Sequence, residues 1–155
     1  MPSVLQTELK QTRPFASRAA EALLSILRTA AVLDHQLSET LRPFGITPTQ
    51  YNVLRILRGA GTAGQCGREV AERLVARVPD VPRLLDRMET MRLIQRERDP
   101  ADRRHVTATI TPKGLALLKE LAPALDALEK ARMGRLSDRT LAALIEGLAA
   151  VRDGA

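Results

Sequence analysis

The chain has 155 residues, 45% of them hydrophobic and 27% charged, which is enough for one domain with a real core. Its formal charge is +6, and 20 of its 24 basic residues are arginine, whose planar guanidinium suits phosphates and guanine edges and so favours an acidic partner. One Tyr, two Phe and no Trp argue against the aromatic platforms that stack single strands, leaving duplex DNA ahead of single-stranded RNA. A GC-rich genome also enriches arginine, so composition alone leaves the partner open. No apolar run approaches the roughly 20 residues of a membrane span, and "MPSVLQTELKQTRPF" lacks the apolar centre of a signal peptide. A lone cysteine, Cys66, cannot form an intramolecular disulfide. A cytoplasmic protein with no membrane contact is expected.

Over residues 16–42, Ile26, Ala30, Leu33, Leu37 and Leu41 recur at spacings of three and four, the signature of a helix with one apolar stripe. After "RPFGIT", Thr47, Pro48 and Gln50 predict a second helix opened by a capping box, with Tyr51, Leu54 and Leu57 on its buried face. "GAGTAG" reads as a flexible connection, since no Lys-Ser or Lys-Thr follows to make a phosphate cradle. "GREVAERL" is a short third helix with Val70 and Leu74 inward.

The fourth helix is expected to begin at Pro79, because prolines in a helix interior would cost about 3 kcal/mol each while both rings are tolerated in a first turn. Val81, Leu84, Leu85 and Met88 then share one face and Pro79, Arg83, Asp86 and Thr90 the other, with Asp80 and Arg87 at the flanks. "LIQRER" and "HVTATIT" are short strand-like runs that bracket "DPADRR" as the tip of a β-hairpin. Thr111 and Pro112 start a fifth helix along Leu115, Leu118, Leu121, Leu125 and Leu128, with a kink expected at Pro123, and Ser137 caps a sixth, "DRTLAALIEGLAAVRD".

Short helices followed by a two-stranded ribbon predict a mainly α fold with a small β-hairpin wing, a winged helix-turn-helix lobe over 47–111. The helices over 16–42 and 112–153 carry more apolar surface than that lobe covers. Dimerisation helices within a single domain, 1–155, account for the surplus.

The segments "LRPFGITPTQYNVLRIL", "GREVAERL" and "VPRLLDRMETMRLIQRERDPADRRHVTATITPKG" resemble the MarR family of bacterial transcriptional regulators over about two-thirds of the chain, in the correct order. The resemblance implies a homodimer that is not an enzyme, with a recognition helix in a major groove of double-stranded DNA and a wing tip in the adjoining minor groove. Arg104 is then the minor-groove residue, Asp102 the acid that holds its guanidinium, Arg103 a phosphate or second groove contact, and Asp99 with Pro100 shape the turn. Arg83 is the candidate for a guanine edge, since bidentate arginine to guanine is the commonest specific contact; Arg87, Asp80 and Pro82 are weaker candidates. A hairpin tip and helix face that are merely solvated are the competing reading.

Two positions depart from the family. Pro82 stands where Ser or Thr is frequent, which removes a hydroxyl contact. Arg92 stands where glycine is common, so either the helix cap differs or Arg92 accepts left-handed strain; a phosphate contact from Arg92 is open. The resemblance also implies release of DNA by a small phenolic or aromatic acid, with Arg96 meeting its carboxylate and His35 and Tyr51 lining the cleft. Alternatively Arg96 pairs with Glu97 or a wing acid and Tyr51 is ordinary core.

Cys66 is expected to be a small buried hydrophobe. His35 and His105 are too few and too distant for a metal site, and no nucleophile, base or carboxylate pair can be placed together, so neither cofactor nor catalysis is expected. A winged module that binds protein partners without reading DNA remains the alternative function.

Overall fold

The computed structural model describes residues 1–102 and 104–153. Among these residues the α-helices in chain order are α1 (Val4–Glu8), α2 (Arg18–Leu41), α3 (Pro48–Ala60), α4 (Gly67–Arg73), α5 (Val81–Thr90), α6 (Pro112–Met133) and α7 (Asp138–Asp153); the strands are β1 (Gln65–Cys66), β2 (Ile94–Arg98) and β3 (Val106–Ile110). No helix among the described residues is long and apolar enough to cross a membrane.

Local chemistry sets most boundaries. Thr47 Oγ1 accepts from the Gln50 amide at 3.2 Å while Gln50 Oε1 accepts from the Thr47 amide at 3.0 Å, closing the capping box of α3. Ser137 Oγ accepts from the Thr140 amide at the start of α7, and Thr111 Oγ1 accepts from the Gly114 amide at the start of α6. The recognition helix departs from expectation: it begins at Val81, with Asp80 as its cap, so Pro82 alone lies in the first turn and Pro79 precedes the helix. Asp80 Oδ1 accepts from the Arg83 amide at 2.9 Å, and this cap competes successfully with a start at Pro79. Helix α6 continues through Pro123 to Met133. Helix α1, where no helix was expected, is capped by Ser3.

The wing is three-stranded, order β1-β3-β2, and wholly antiparallel. Two residues expected to belong to or border a loose connection, Gln65 and Cys66, pair with Ala108 and Thr107. Gly64 makes this possible: at φ 65°, a Cβ there would run into the carbonyl of Ala108 and the methyl groups of Thr107 and Thr109. Cys66 is half-buried rather than buried, because it sits on the edge strand that leads into α4.

Leu41, Val53, Leu54, Leu57, Val70, Met88, Ile94 and Leu121 are fully buried and join α2, α3, α4, α5, β2 and α6 in one core. The apolar stripe of α2 joins this core at its C-terminal end, where Leu41 is sealed and Leu37 packs against the cluster; Ile26 and Leu33 are half-buried, and Leu23 and Leu27, off the stripe, are 56% and 57% exposed. Helix α7 buries none of its residues within the chain, leaving Ile145 66% and Val151 60% exposed.

Candidate nucleic-acid interface

Helix α5 is strongly two-sided. Val81, Leu85 and Met88 are buried, whereas Pro82, Arg83, Asp86, Arg87 and Thr90 are exposed. Arg83 and Arg87 stand one turn apart on that outer face. Asp80 spends one carboxylate oxygen on the helix cap, and so orients the first turn. Pro82 offers no donor, in keeping with a helix whose first amides are free.

The chain leaves α5 through Arg92, which adopts φ 59°. Of the two possibilities at this position, strain is therefore the one realised: a non-glycine residue occupies the left-handed turn, with its side chain exposed. The corner is held from outside. Thr111 Oγ1 reaches the carbonyls of Arg92 and Leu93 at 2.7 and 3.0 Å, and Lys113 Nζ donates to the Met91 carbonyl at 2.9 Å. Gly114 lets α6 approach so closely, since a Cβ there would overlap the Leu93 carbonyl.

Strands β2 and β3 then carry the hairpin tip away from the core. Asp99 Oδ1 accepts from the Ala101 amide at 2.7 Å, and Asp102 Oδ1 accepts from the Arg104 amide at 3.0 Å. These are carboxylate-to-backbone turns. The backbone of Asp99 and His105 closes the loop at 2.9 Å. Asp102 grips the backbone amide of Arg104, and among the described residues no ion pair joins its carboxylate to the Arg104 guanidinium. An Asx turn uses the carboxylate locally, and the Arg104 side chain remains exposed. Arg103 lies outside the described residues.

Arg96 is placed differently from expectation. On β2 it faces α5, where its Nη2 bonds Asp86 Oδ1 and, at 2.8 Å, Glu89 Oε2; its Nε also meets Glu89 Oε2, and its backbone amide donates to Glu89 Oε1 at 3.0 Å. Hydrogen bonding from Glu89 is the largest influence and raises the guanidinium above its ordinary range; burial opposes it, and hydrogen bonding from Asp86 adds to the rise. The partners are recognition-helix acids, neither Glu97 nor an acid of the wing tip. Sequence inspection offers only a faint signal for this clamp, two acids three apart on a helix with an arginine on the following strand.

The structure does not bring Arg96 together with His35 and Tyr51. Tyr51 lines a cavity of about 200 Å³ with Asp34, Leu37, Asn52, Arg55 and Leu74, between α2, α3 and the loop after α4. His35 is exposed and is not among the residues lining it, and Arg96 lines neither this cavity nor the second one that Tyr51 borders. Arg55 lies over the Tyr51 ring, 5.9 Å from its centroid. Asn52 Oδ1 accepts from the Val75 amide at 2.8 Å, tying that loop to α3.

Sequence reasoning passed over Arg77, exposed in the loop before α5, and Arg98, exposed at the end of β2. Among the described residues Arg77, Arg83, Arg87, Arg98 and Arg104 have no acidic partner within salt-bridge distance, whereas Arg68 is taken by Glu72. These five lie in the loop before α5, on α5, and on β2 and the wing tip.

An exposed helix of a helix-turn-helix beside a β-hairpin wing defines the winged-helix class of DNA-binding proteins. The family model for the MarR family matches residues 46–106. A MarR transcription factor from Planctomyces limnophilus is 31% identical, covering 92% of this chain and 100% of that one with a TM-score of 0.67. The chain belongs to the MarR family of transcriptional regulators. The fold is also that of Sco3205 of Streptomyces coelicolor, a family member solved in complex with DNA, at 23% identity, TM-score 0.76 and coverage of 90% of this chain and 93% of that one. It is shared as well by BpsR of Bordetella bronchiseptica, whose DNA binding is regulated by 6-hydroxynicotinic acid, at 23% identity, TM-score 0.74 and coverage of 85% and 98%.

Proposed function

We propose that this protein is a homodimeric transcriptional repressor that binds a pseudo-palindromic operator and leaves it when a small aromatic acid binds. The observation that carries the reading is the position of exposed Arg83 and Arg87 on α5 beside a wing whose tip presents Arg104. Arg83 reads a guanine edge in the major groove, with Arg87, Asp80 and Pro82 flanking it. Arg104 enters the minor groove, where a narrow A·T-rich stretch concentrates negative potential, and Arg103 meets the backbone nearby.

Dimerisation through α2, α6 and α7 would cover the exposed Leu23, Leu27 and Ile145, and would set two recognition helices for half-sites about 10 base pairs apart. The cavity lined by Tyr51 and Arg55 is the effector site in this reading: it adjoins the loop that leads into α5, and Arg55 supplies a cation for a carboxylate. The solved DNA complex of Sco3205 and the ligand control of BpsR support the two halves of the proposal.

Selection of bound duplexes from a random pool, followed by a salt titration on the enriched sequence, tests it. A palindromic motif whose affinity falls steeply with salt is expected. A folded dimer that enriches no sequence would favour a winged module that binds protein partners instead.

A further inference from the structure

We infer that Arg96 is a positioning residue of the DNA-binding surface: it locks the wing to the recognition helix and withdraws two carboxylates from the face presented to DNA. The inference rests on the DNA-binding reading above and assigns Arg96 a role independent of any effector.

The recognition helix has an electrostatic problem. Between its cap and its end it carries Asp80, Asp86 and Glu89 against two arginines, Arg83 and Arg87, and Asp86 lies on the same exposed side as those arginines. Carboxylates so placed repel the phosphates that the arginines attract. Arg96 answers for two of them at once. Its side chain is only 22% exposed, and its guanidinium lies between Asp86 and Glu89, whose side chains are 64% and 40% exposed. Sharing one planar fork between two acids requires arginine, because a lysine ammonium is a single point on a flexible stem.

The same bonds fix geometry. Glu89 takes the backbone amide of Arg96 with one oxygen and the side chain with the other, so both the strand and its guanidinium are referenced to α5. Arg96 sits two residues before the end of β2, and beyond that end the turn is built from Asp99 and Asp102 onto Arg104. Rotation of β2 about the Arg92 corner would move the tip relative to the recognition helix. The Thr111 and Lys113 bonds hold the corner on its α6 side, and the Arg96 clamp holds it on the α5 side. With both in place, groove spacing between Arg83 and Arg104 is preset before DNA arrives, which removes an ordering cost from binding.

The test uses the full-length protein and the duplex enriched by selection. Arg96→Gln, Arg96→Lys and the triple change Asp86→Asn, Glu89→Gln, Arg96→Gln are compared with wild type by operator titration, hydroxyl-radical footprinting of the minor groove and thermal unfolding, all without effector. Arg96→Gln is expected to weaken operator binding about ten- to a hundred-fold and to lose wing protection while recognition-helix protection persists. Arg96→Lys is expected to restore only part of the affinity. The triple variant should regain affinity through charge without regaining the wing footprint.

Wild-type affinity and an intact footprint in Arg96→Gln would overturn the inference, as would weakened binding with the wing footprint unchanged. Should Arg96→Gln fail to fold, Arg96→Lys carries the test: a smaller loss of affinity with a weakened wing footprint is expected, and wild-type affinity with an intact footprint would overturn the inference. A wild-type protein that selects no DNA would overturn the regulator reading itself, and the two failures are thereby distinct.

Discussion

Thr111 caps α6 through the Gly114 amide and, with the same hydroxyl, reaches 2.7 Å to the carbonyl of Arg92, the left-handed residue that turns α5 into β2. One side chain thus joins the start of a long terminal helix to the end of the recognition helix. Thr111→Val should cost about 1–2 kcal/mol of stability, the usual loss for a removed cap, and Thr111→Ser should cost markedly less. Denaturant midpoints of the two variants provide the comparison; a loss as large or larger in Thr111→Ser than in Thr111→Val would show that the hydroxyl bonds are not what holds the corner.

Arg92 adopts φ 59° with its side chain in solvent, so its conformation is tolerated, not favoured. Arg92→Gly should raise stability by up to about 1 kcal/mol, the relief of left-handed strain being partly offset by glycine's greater freedom in the unfolded chain. Equilibrium unfolding measures this, and a destabilised glycine variant would mean that the arginine stem packs favourably on the corner.

Asp102 acts on the Arg104 backbone amide, and this makes the wing tip separable into shape and charge. Arg104→Ala should weaken operator binding by about 1–3 kcal/mol while leaving the oligomeric state unchanged. Asp102→Asn retains an acceptor for the Asx turn and should bind almost as wild type, whereas Asp102→Ala should not. Equal loss in the Asn and Ala variants, read by operator titration, would instead indicate that the negative charge is what the tip requires.

Ile145 on α7 is 66% exposed in the single chain, and Leu148 one turn nearly below it is half-buried. If a second copy covers this face, Ile145→Glu and Leu148→Glu bury an unpaired charge in the interface and should shift the protein towards monomer. Sedimentation at several concentrations decides: variants as strongly dimeric as wild type would place the dimer contact elsewhere. Operator affinity should fall as dimerisation is lost, because each half-site then binds alone.

The local signals in the chain are strong and short-ranged. Thr47 and Gln50, Ser137, and the Thr111–Pro112 pair announce helix starts by chemistry confined to four residues, and each is realised. The outward position of Arg83 and Arg87 follows from a 3.6-residue period around buried Val81, Leu85 and Met88. The start of α5 was less legible because a proline is acceptable at several first-turn positions, and the Asp80 cap chooses among them. Strand β1 was hidden for a similar reason: two residues carry no period, and their pairing depends on Gly64 admitting the carbonyl of Ala108.

By itself, then, the sequence determined the order of α2 to α7 with the hairpin strands β2 and β3, the family and the side of α5 that faces outward, since each depends on spacing along the chain. Tertiary structure decided what Arg96 and Asp102 do. An arginine or an aspartate among several charged neighbours has many partners at comparable separation in sequence, and only the turn at Arg92 and the register of β2 on β3 set which atoms come within 3 Å. Those distances assign Glu89 and Asp86 to Arg96, and the Arg104 amide to Asp102, leaving the cations of the recognition helix and wing unpaired.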